Sequence, residues 1–219
     1  MAKEKSSFIS AKSENQKTYI RAICNNDVVI CSGPSGTGKS LVGLGLALDA
    51  LYAHKIGKIY VTRPMVATSE REFPHLKGTL LEKLLPYYSP ILSNLTDLLD
   101  QKTNGRGKAE LEKLLKEEII VLQPIELMRG FTYKNCAVLI TEAQNMTIAQ
   151  AVMAITRIGC GCKMVFEGDT DQKDIYGDDG LSFLISKLEG KGLCAVVRLD
   201  HSDIQRHPLI GKILTELRK

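Results

Sequence analysis

The alternation of apolar and polar stretches predicts strands and helices that follow one another along the chain. Two helices are indicated by long apolar spacing at residues 39–54 and 147–158, and a shorter one at 16–24. Short runs rich in β-branched residues predict six strands, at residues 27–33, 57–64, 118–122, 136–141, 163–169 and 194–199. Strands that alternate with helices favour an α/β fold with a mostly parallel sheet and helices on both faces.

The distribution of prolines and glycines predicts how the 219 residues are organised. Residues 1–15 are polar and predict a flexible N-terminal arm, followed by one domain over residues 16–219. The stretch of about 65–116 is too long for a simple crossover between two strands, and it contains Pro74, Pro86 and Pro90. We therefore expect a helical insertion on the rim of the domain.

Composition narrows the class of protein without naming a function. The chain is 44% hydrophobic and 25% charged, which is typical of a globular protein. No apolar run reaches the roughly 18 residues that a membrane helix needs, and the polar start lacks the apolar core of a signal peptide. These features predict a cytoplasmic protein without a membrane partner. The net charge of +4 permits a nucleic-acid partner but does not establish one.

The segment "GPSGTGKS" at residues 33–40 fits the phosphate-loop pattern, and it lies between a predicted buried strand and a predicted helix. Its glycines allow backbone N–H groups to surround phosphate oxygens, and the start of the helix adds a favourable dipole. Lys39 would contact the β- and γ-phosphates of a nucleotide, and Ser40 would ligate Mg²⁺. The predicted nucleotide-binding residues of this loop are Gly33, Pro34, Ser35, Gly36, Thr37, Gly38, Lys39 and Ser40.

Two further strand ends carry candidate catalytic groups. A pair of acids is expected where the strand at 136–141 ends, but the chain has Thr141 followed by Glu142. Glu142 is placed to activate a water molecule for attack on a γ-phosphate, the alternative being a solvated loop acid. Asp169 ends the next strand, and the amide of Gln172 would distinguish triphosphate from diphosphate unless the segment is an ordinary acidic turn.

Several motifs together resemble those of one known family. They are "GPSGTGKS", "VTRPMV" (61–66), "MRGFT" (128–132), "TEAQNMT" (141–147), "TRIGCGCKMVFEGDTDQKD" (156–174) and "DIQRHPLI" (203–210). In this order they resemble the PhoH family over roughly residues 14–219. The resemblance implies an ATPase with a RecA-like P-loop NTPase core related to superfamily-one helicases, with ATP and Mg²⁺ bound.

The resemblance also implies roles for residues outside the phosphate loop. Gln16 corresponds to a glutamine that recognises adenine, and Arg63 lies in a motif that is close to nucleic acid in helicases. Arg157 and Arg206 are candidates for stabilising charge on the transferred phosphate. The alternative for Arg63 and Arg206 is an ordinary salt bridge, and the alternative for Arg157 is an action within its own subunit. The resemblance further implies a hexameric ring, in which one subunit offers an arginine to the next.

Thr141 departs from the family pattern, which has aspartate at this position. A hydroxyl can replace the hydrogen bond but brings no charge, and one unit charge near the ion is worth about 4 kcal/mol at an effective dielectric of about 20. We expect Ser40, Thr141 and Asp169 to form the metal site, with Asp169 compensating for the missing acid. We expect the absence of aspartate at position 141 to reduce the rate of ATP hydrolysis more than the affinity for ATP.

These observations predict an enzyme that binds and hydrolyses ATP and couples hydrolysis to RNA or single-stranded DNA, an RNA or DNA helicase being one form of such an enzyme. Its catalytic residues would be Lys39, Glu142, Gln172, Arg206 and Arg157. Two alternatives stay open. Thr141 favours an ATP-dependent binding module that does not hydrolyse ATP, and a small-molecule kinase would use the insertion as its lid.

Overall fold

A single parallel sheet forms the centre of the protein in the computed structural model, which describes residues 7–65, 80–175 and 177–205. The sheet order is β3-β2-β4-β5-β1-β6, and all neighbouring strands are parallel. The strands are β1 (Val28–Ser32), β2 (Lys58–Arg63), β3 (Ile120–Pro124), β4 (Cys136–Ile140), β5 (Lys163–Gly168) and β6 (Ala195–Arg198). Strand β5 therefore separates the phosphate-loop strand β1 from β4.

Six α-helices connect or flank these strands in the described part of the chain. They are α1 (Glu14–Asn25), α2 (Lys39–Tyr52), α3 (Leu80–Thr103), α4 (Gly107–Lys116), α5 (Ile148–Ile155) and α6 (Gly180–Leu188). Short 3₁₀ helices follow at Ile125–Met128, Ala143–Asn145 and His201–Asp203. Among the described residues, no helix is long and apolar enough to cross a membrane.

The alternation of side chains along the strands divides the core into layers. Ile30, Val138 and Phe166 are buried on one face, where they pack with residues of α5 and α6. Residues next to them in the chain, such as Val29 and Leu139, point to the other face, which α1 to α4 cover. The predicted α/β class with a RecA-like arrangement is thus confirmed.

Residues 7–15, which the polar composition predicts to be mobile, instead pack on the domain. Phe8 is 2% exposed, and its backbone N–H donates to Oδ1 of Asp49 at 3.0 Å. The ring of Phe8 lies 5.3 Å from that of Tyr52. The predicted helix also begins earlier, because the Ser13 side chain caps α1 by accepting from the N–H of Gln16. These contacts hold the segment against the domain.

The predicted helical insertion contains α3 and α4, which pack against each other and against the α2 face of the sheet. Leu95, Leu98 and Leu99 of α3 are fully buried. The hydroxyl of Tyr88 donates to the carbonyl of Gln123 at 2.9 Å, which fixes α3 beside the end of β3. Residues 66–79 of the predicted insertion lie outside the described residues.

Candidate nucleotide site

A cavity of about 410 Å³ lies at the carboxyl edge of the sheet, within the range of small-ligand sites. Its walls come from the loop after β1, the start of α2, the ends of β4 and β5, and one side of α3. Its lining residues are Ser35, Gly36, Gly38, Lys39, Ser40, Leu41, Pro90, Asn94, Glu142, Glu167, Gly168, Asp169, Gln172 and Gln205. The cavity thus brings the phosphate loop together with the two other predicted strand ends.

The phosphate loop has the local conformation that its sequence predicts. Gly38 precedes α2 with φ 83°, and a β-carbon there would lie 2.9 Å from Nε2 of Gln16. A residue with a side chain would therefore be both strained and crowded. Nζ of Lys39 donates to the carbonyls of Gly33 at 2.5 Å and Pro34 at 2.9 Å. The Lys39 side chain therefore folds back over the loop in which a phosphate group would bind.

Gln16 is buried beside this loop and links it to the first helix. Its Nε2 donates to the carbonyl of Thr37 at 3.0 Å, and its Oε1 accepts from the N–H of Lys12 at 2.7 Å. Both ends of the amide are therefore occupied within the protein. The recognition of adenine by Gln16 remains a prediction, whereas its contact with the loop is part of the structure.

Glu142 occupies a backbone conformation that is rarely adopted by residues with a side chain. Its φ and ψ are 53° and 38°, in the left-handed region. Its Oε2 accepts a hydrogen bond from Nε2 of Gln144 at 2.7 Å, and its carbonyl accepts from the N–H of Asn145 at 2.9 Å. Strained residues of this kind concentrate at functional sites. Here the strained residue is exposed and lines the cavity.

Gln144 connects the two segments that follow β4 and β5, a role that the sequence analysis missed. The residue is 2% exposed. Besides bonding to Glu142, its Nε2 donates to the carbonyl of Gln172 at 3.1 Å, and its Oε1 accepts from the N–H of Asp169 at 3.1 Å. A β-carbon at Gly168 would overlap Oε1 of Gln144. The glycine is thus required for the amide to reach its partners.

Asp169 holds the phosphate loop against the end of β5. Its Oδ2 accepts from the N–H of Ser35 at 3.2 Å, and its Oδ1 accepts from the N–H of Asp171 at 3.1 Å. The N–H of Gln172 donates to the carbonyl of Asp169 at 3.0 Å, so the same turn places Gln172 at the cavity. Both carboxylate oxygens of Asp169 are already used by the backbone.

Thr141 is buried beside β2 and is not among the residues that line the cavity. Its hydroxyl donates to the carbonyl of Thr62 at 3.4 Å, which is a long hydrogen bond. Glu167, which the sequence analysis also missed, lines the cavity instead and is 1% exposed. Burial raises the pKa of Glu167 to about 7, although the neighbouring Ser40 hydroxyl and Lys39 ammonium oppose this shift.

The predicted arginines do not meet at this cavity in the described structure. The carbonyl of Arg157 accepts from the N–H of Tyr133 at 2.9 Å, just before β4 begins, so Arg157 lies at the amino edge of the sheet. This placement is inconsistent with an action of Arg157 within its own subunit, because α5 carries the chain away from the cavity. Arg63 donates to the carbonyl of Tyr87 at 2.6 Å. Arg206 lies outside the described residues.

The donors at the cavity fit a metal ion only when a nucleotide shares in its ligation. Among the described residues there is no group of three or more histidines, cysteines or acids that would hold a metal alone. Ser40 offers a hydroxyl in the first turn of α2, and Glu167 offers a buried oxygen without a hydrogen-bond partner in the described structure. Mg²⁺ accepts few protein ligands together with phosphate oxygens, which matches this set.

Known proteins are similar to this chain in sequence. The family model described as PhoH-like protein matches residues 8–218. A PhoH-like protein of Bacillus subtilis (strain 168) is 38% identical over 212 residues, which cover 96% of this chain and 64% of that protein. Protein PhoH of Escherichia coli (strain K12) is 31% identical over 210 residues, which cover 94% of this chain and 57% of that protein.

A solved structure supports the fold at low sequence similarity. The large terminase from a thermophilic bacteriophage superimposes with a TM-score of 0.51 at 12% identity, covering 94% of this chain and 50% of the other. The chain spans about three fifths of the length of the two curated relatives described above. Its phosphate loop and parallel sheet are those of a P-loop NTPase, and the chain belongs to the family of PhoH-like proteins.

Proposed function

We propose that the protein binds ATP together with Mg²⁺, hydrolyses the γ-phosphate bond, and couples this turnover to RNA or single-stranded DNA. The observation that carries the proposal is one shared cavity. Glu142 lines it from the end of β4, while Lys39 and Ser40 line it from the phosphate loop. A water-activating acid beside a triphosphate site is the arrangement that hydrolysis needs.

Binding would use the loop and the start of α2. Lys39 would exchange the carbonyls of Gly33 and Pro34 for β- and γ-phosphate oxygens, while backbone N–H groups and the helix dipole neutralise further charge. Gln172, which also lines the cavity, would contact the γ-phosphate and so distinguish triphosphate from diphosphate. When bound, Mg²⁺ would withdraw charge from the phosphates, and Ser40 would be its ligand from the loop.

Hydrolysis would depend on how firmly Glu142 is held. Its carboxylate would orient an attacking water and accept a proton from it. The left-handed backbone and the hydrogen bond from Gln144 fix the direction of this side chain before substrate arrives. Gln144 also holds the backbone of Gln172 and Asp169, so the base and the γ-phosphate sensor would move together.

A second candidate is a module that binds ATP without hydrolysing it. Thr141 supports this alternative, because the position brings no charge and its hydroxyl contacts Thr62. A small-molecule kinase has weaker support from Pro90 and Asn94, through which α3 contributes to the cavity wall. The three functions differ in whether ATP is consumed and in whether its γ-phosphate is released or transferred to an acceptor.

Steady-state formation of ADP and release of phosphate, both measured on the full chain, distinguish them. The assay uses ATP and Mg²⁺, alone and with structured RNA, single-stranded RNA, single-stranded DNA or duplex DNA, with Lys39→Ala as the inactive control. We expect slow basal release that single strands accelerate. Tight ATP binding without turnover on any nucleic acid would support the binding module. ADP that forms only when a small hydroxyl acceptor is added, without release of phosphate, would support the kinase.

We also propose that a complete site needs a neighbouring subunit. An arginine that neutralises the transition-state charge is worth about 10³–10⁵ in rate. Among the described residues that line the cavity, none is an arginine. A hexameric ring would supply one from the next subunit, and Arg206 is our first candidate. Arg157, at the amino edge of its own sheet, is the second candidate across such an interface.

A further inference from the structure

Glu167 carries an inference that rests on the proposed function and makes it more specific. The side chain is 1% exposed, yet it lines the nucleotide cavity. Its Oε1 has no hydrogen-bond partner within the described structure, and its Oε2 accepts a long bond of 3.4 Å from the hydroxyl of Tyr19. The Ser40 hydroxyl and the Lys39 ammonium offset part of the cost of this burial. A buried carboxylate still costs stability, so its presence at the cavity indicates a functional role.

The sheet places Glu167 next to the position where an acid is missing. Glu167 belongs to β5, opposite Cys31 of β1, while Ile140 of β4 pairs with Phe166 of β5. Thr141 and Glu167 are therefore the next residues along two adjacent strands. Leu139 of β4 and Glu167 both lie close to Gly43 of α2. A β-carbon placed on Gly43 would be 2.8 Å from Cδ2 of Leu139 and 3.6 Å from Oε2 of Glu167.

Because side chains alternate, Thr141 shares the face of Leu139. The two positions thus face the same helix, α2, whose first turn carries Ser40. A carboxylate at either position would approach the metal side of the phosphate loop. Each oxygen of Asp169 already accepts one N–H bond, from Ser35 or Asp171, whereas Oε1 of Glu167 accepts none within the described structure.

We propose that Glu167 is the acidic group that binds the Mg²⁺ of bound ATP, together with Ser40, in place of the acid that the chain lacks at position 141. The carboxylate has moved from the end of β4 to the neighbouring strand β5, and it still faces the start of α2. The metal site thereby keeps a carboxyl group although Thr141 has none.

The test measures Mg²⁺ dependence of nucleotide binding, without turnover. The full chain is titrated with a non-hydrolysable ATP analogue at increasing MgCl₂, and once more with EDTA. Glu167→Gln should raise the half-saturating Mg²⁺ concentration about 10–100-fold, the usual effect of losing a group that supports a metal. Its affinity for the analogue in EDTA should stay within a few-fold of the wild type.

Glu110→Gln is the matched control, because the Tyr52 hydroxyl donates to Glu110 at 2.9 Å far from the cavity. It should not change the Mg²⁺ requirement. Adding Thr141→Asp to Glu167→Gln should recover much of the lost affinity for Mg²⁺. If Glu167→Gln does not fold, the exchange variant Thr141→Asp with Glu167→Thr decides, and it should keep the wild-type Mg²⁺ requirement within about tenfold.

An unchanged Mg²⁺ requirement in folded Glu167→Gln would overturn the inference, as would loss of Mg²⁺-dependent binding in the exchange variant. Either result would leave the proposed function in place. A wild-type chain that fails to bind the analogue with Mg²⁺ would instead remove the proposed function itself. The two failures are therefore distinguishable in one series of titrations.

Discussion

Amide side chains position the acids of this site. Gln144 uses one buried amide to hold Glu142, the backbone of Asp169 and the backbone of Gln172. Asn145 and Asp174 add a reciprocal pair, with Nδ2 donating at 3.0 Å and Oδ1 accepting at 2.7 Å. Because each buried partner would be left unsatisfied without its amide, these bonds fix the turns after β4 and β5 relative to each other.

Gln144→Met keeps the length of the side chain but removes its donors and acceptor. We expect hydrolysis to fall about 10²-fold, since a displaced base loses the geometry for attack. The free energy of unfolding should fall by about 1–3 kcal/mol, because buried polar partners lose their bonds. Phosphate release and urea unfolding measure the two effects.

Gln101→Met is the control for this substitution, since Gln101 is exposed on α3. It should change neither quantity. ATP affinity of Gln144→Met should remain within a few-fold of the wild type, because Lys39 and the loop backbone are untouched. Wild-type turnover in a folded Gln144→Met protein would show that the amide does not position the base.

The sequence predicts a residue of the site only where that residue belongs to a continuous motif. Lys39, Ser40 and Glu142 follow from the phosphate loop and from an acid at a strand end. Gln144 and Glu167 act through contacts between segments that are distant in the chain, such as the bond between Gln144 and Asp169. No local pattern predicts that Glu167 is buried at the cavity, whereas the register of β1 with β5 places it there directly.

At the scale of elements, all six predicted strands are present, and the errors lie at their boundaries. The strand predicted at 118–122 is observed at Ile120–Pro124. The N–H groups of Glu118 and Ile119 instead close the end of α4 by donating to Leu115 and Leu114. Glu118 also has φ 52°, which no strand residue adopts. Helix ends compete for the same backbone groups as strand starts, and apolar pattern alone does not decide between them.

The capping box of α5 makes a prediction about stability. The Thr147 hydroxyl accepts from the N–H of Gln150 at 3.2 Å, and the Gln150 side chain accepts in return from the N–H of Thr147. Thr147→Ala should lower the free energy of unfolding by about 1 kcal/mol. Thr147→Ser should restore most of this, because it keeps the hydroxyl. Denaturant unfolding measures the stability of both variants. A Thr147→Ala variant that is as stable as the wild type would contradict the capping role.

At the scale of the whole molecule, the order of the strands creates the site. The sequence predicts a parallel α/β sheet, but it does not predict that β5 lies between β1 and β4. That order brings Glu167 to the phosphate loop and sets Asp169 against Ser35. Strand order depends on pairings between distant segments, which the hydrophobic pattern of each segment leaves undetermined.

Assembly is tested by mixing subunits that are inactive for different reasons. Lys39→Ala removes a phosphate contact, and Arg206→Ala removes the proposed arginine of the neighbouring site. A mixture should regain part of the activity, because some interfaces then contain an intact loop and an intact arginine. Full activity from a wild-type protein that sediments only as a monomer would contradict the proposal.

Single-turnover phosphate release at saturating ATP tests most directly whether Glu142 activates water for ATP hydrolysis. Wild type and Glu142→Gln are compared at equal nucleotide occupancy, which is determined by binding with the same Mg²⁺ concentration. For Glu142→Gln we expect an ATP affinity within a few-fold of the wild type and a rate about 10²–10⁴-fold lower. An unchanged rate in the folded Glu142→Gln variant would show that Glu142 does not activate the attacking water.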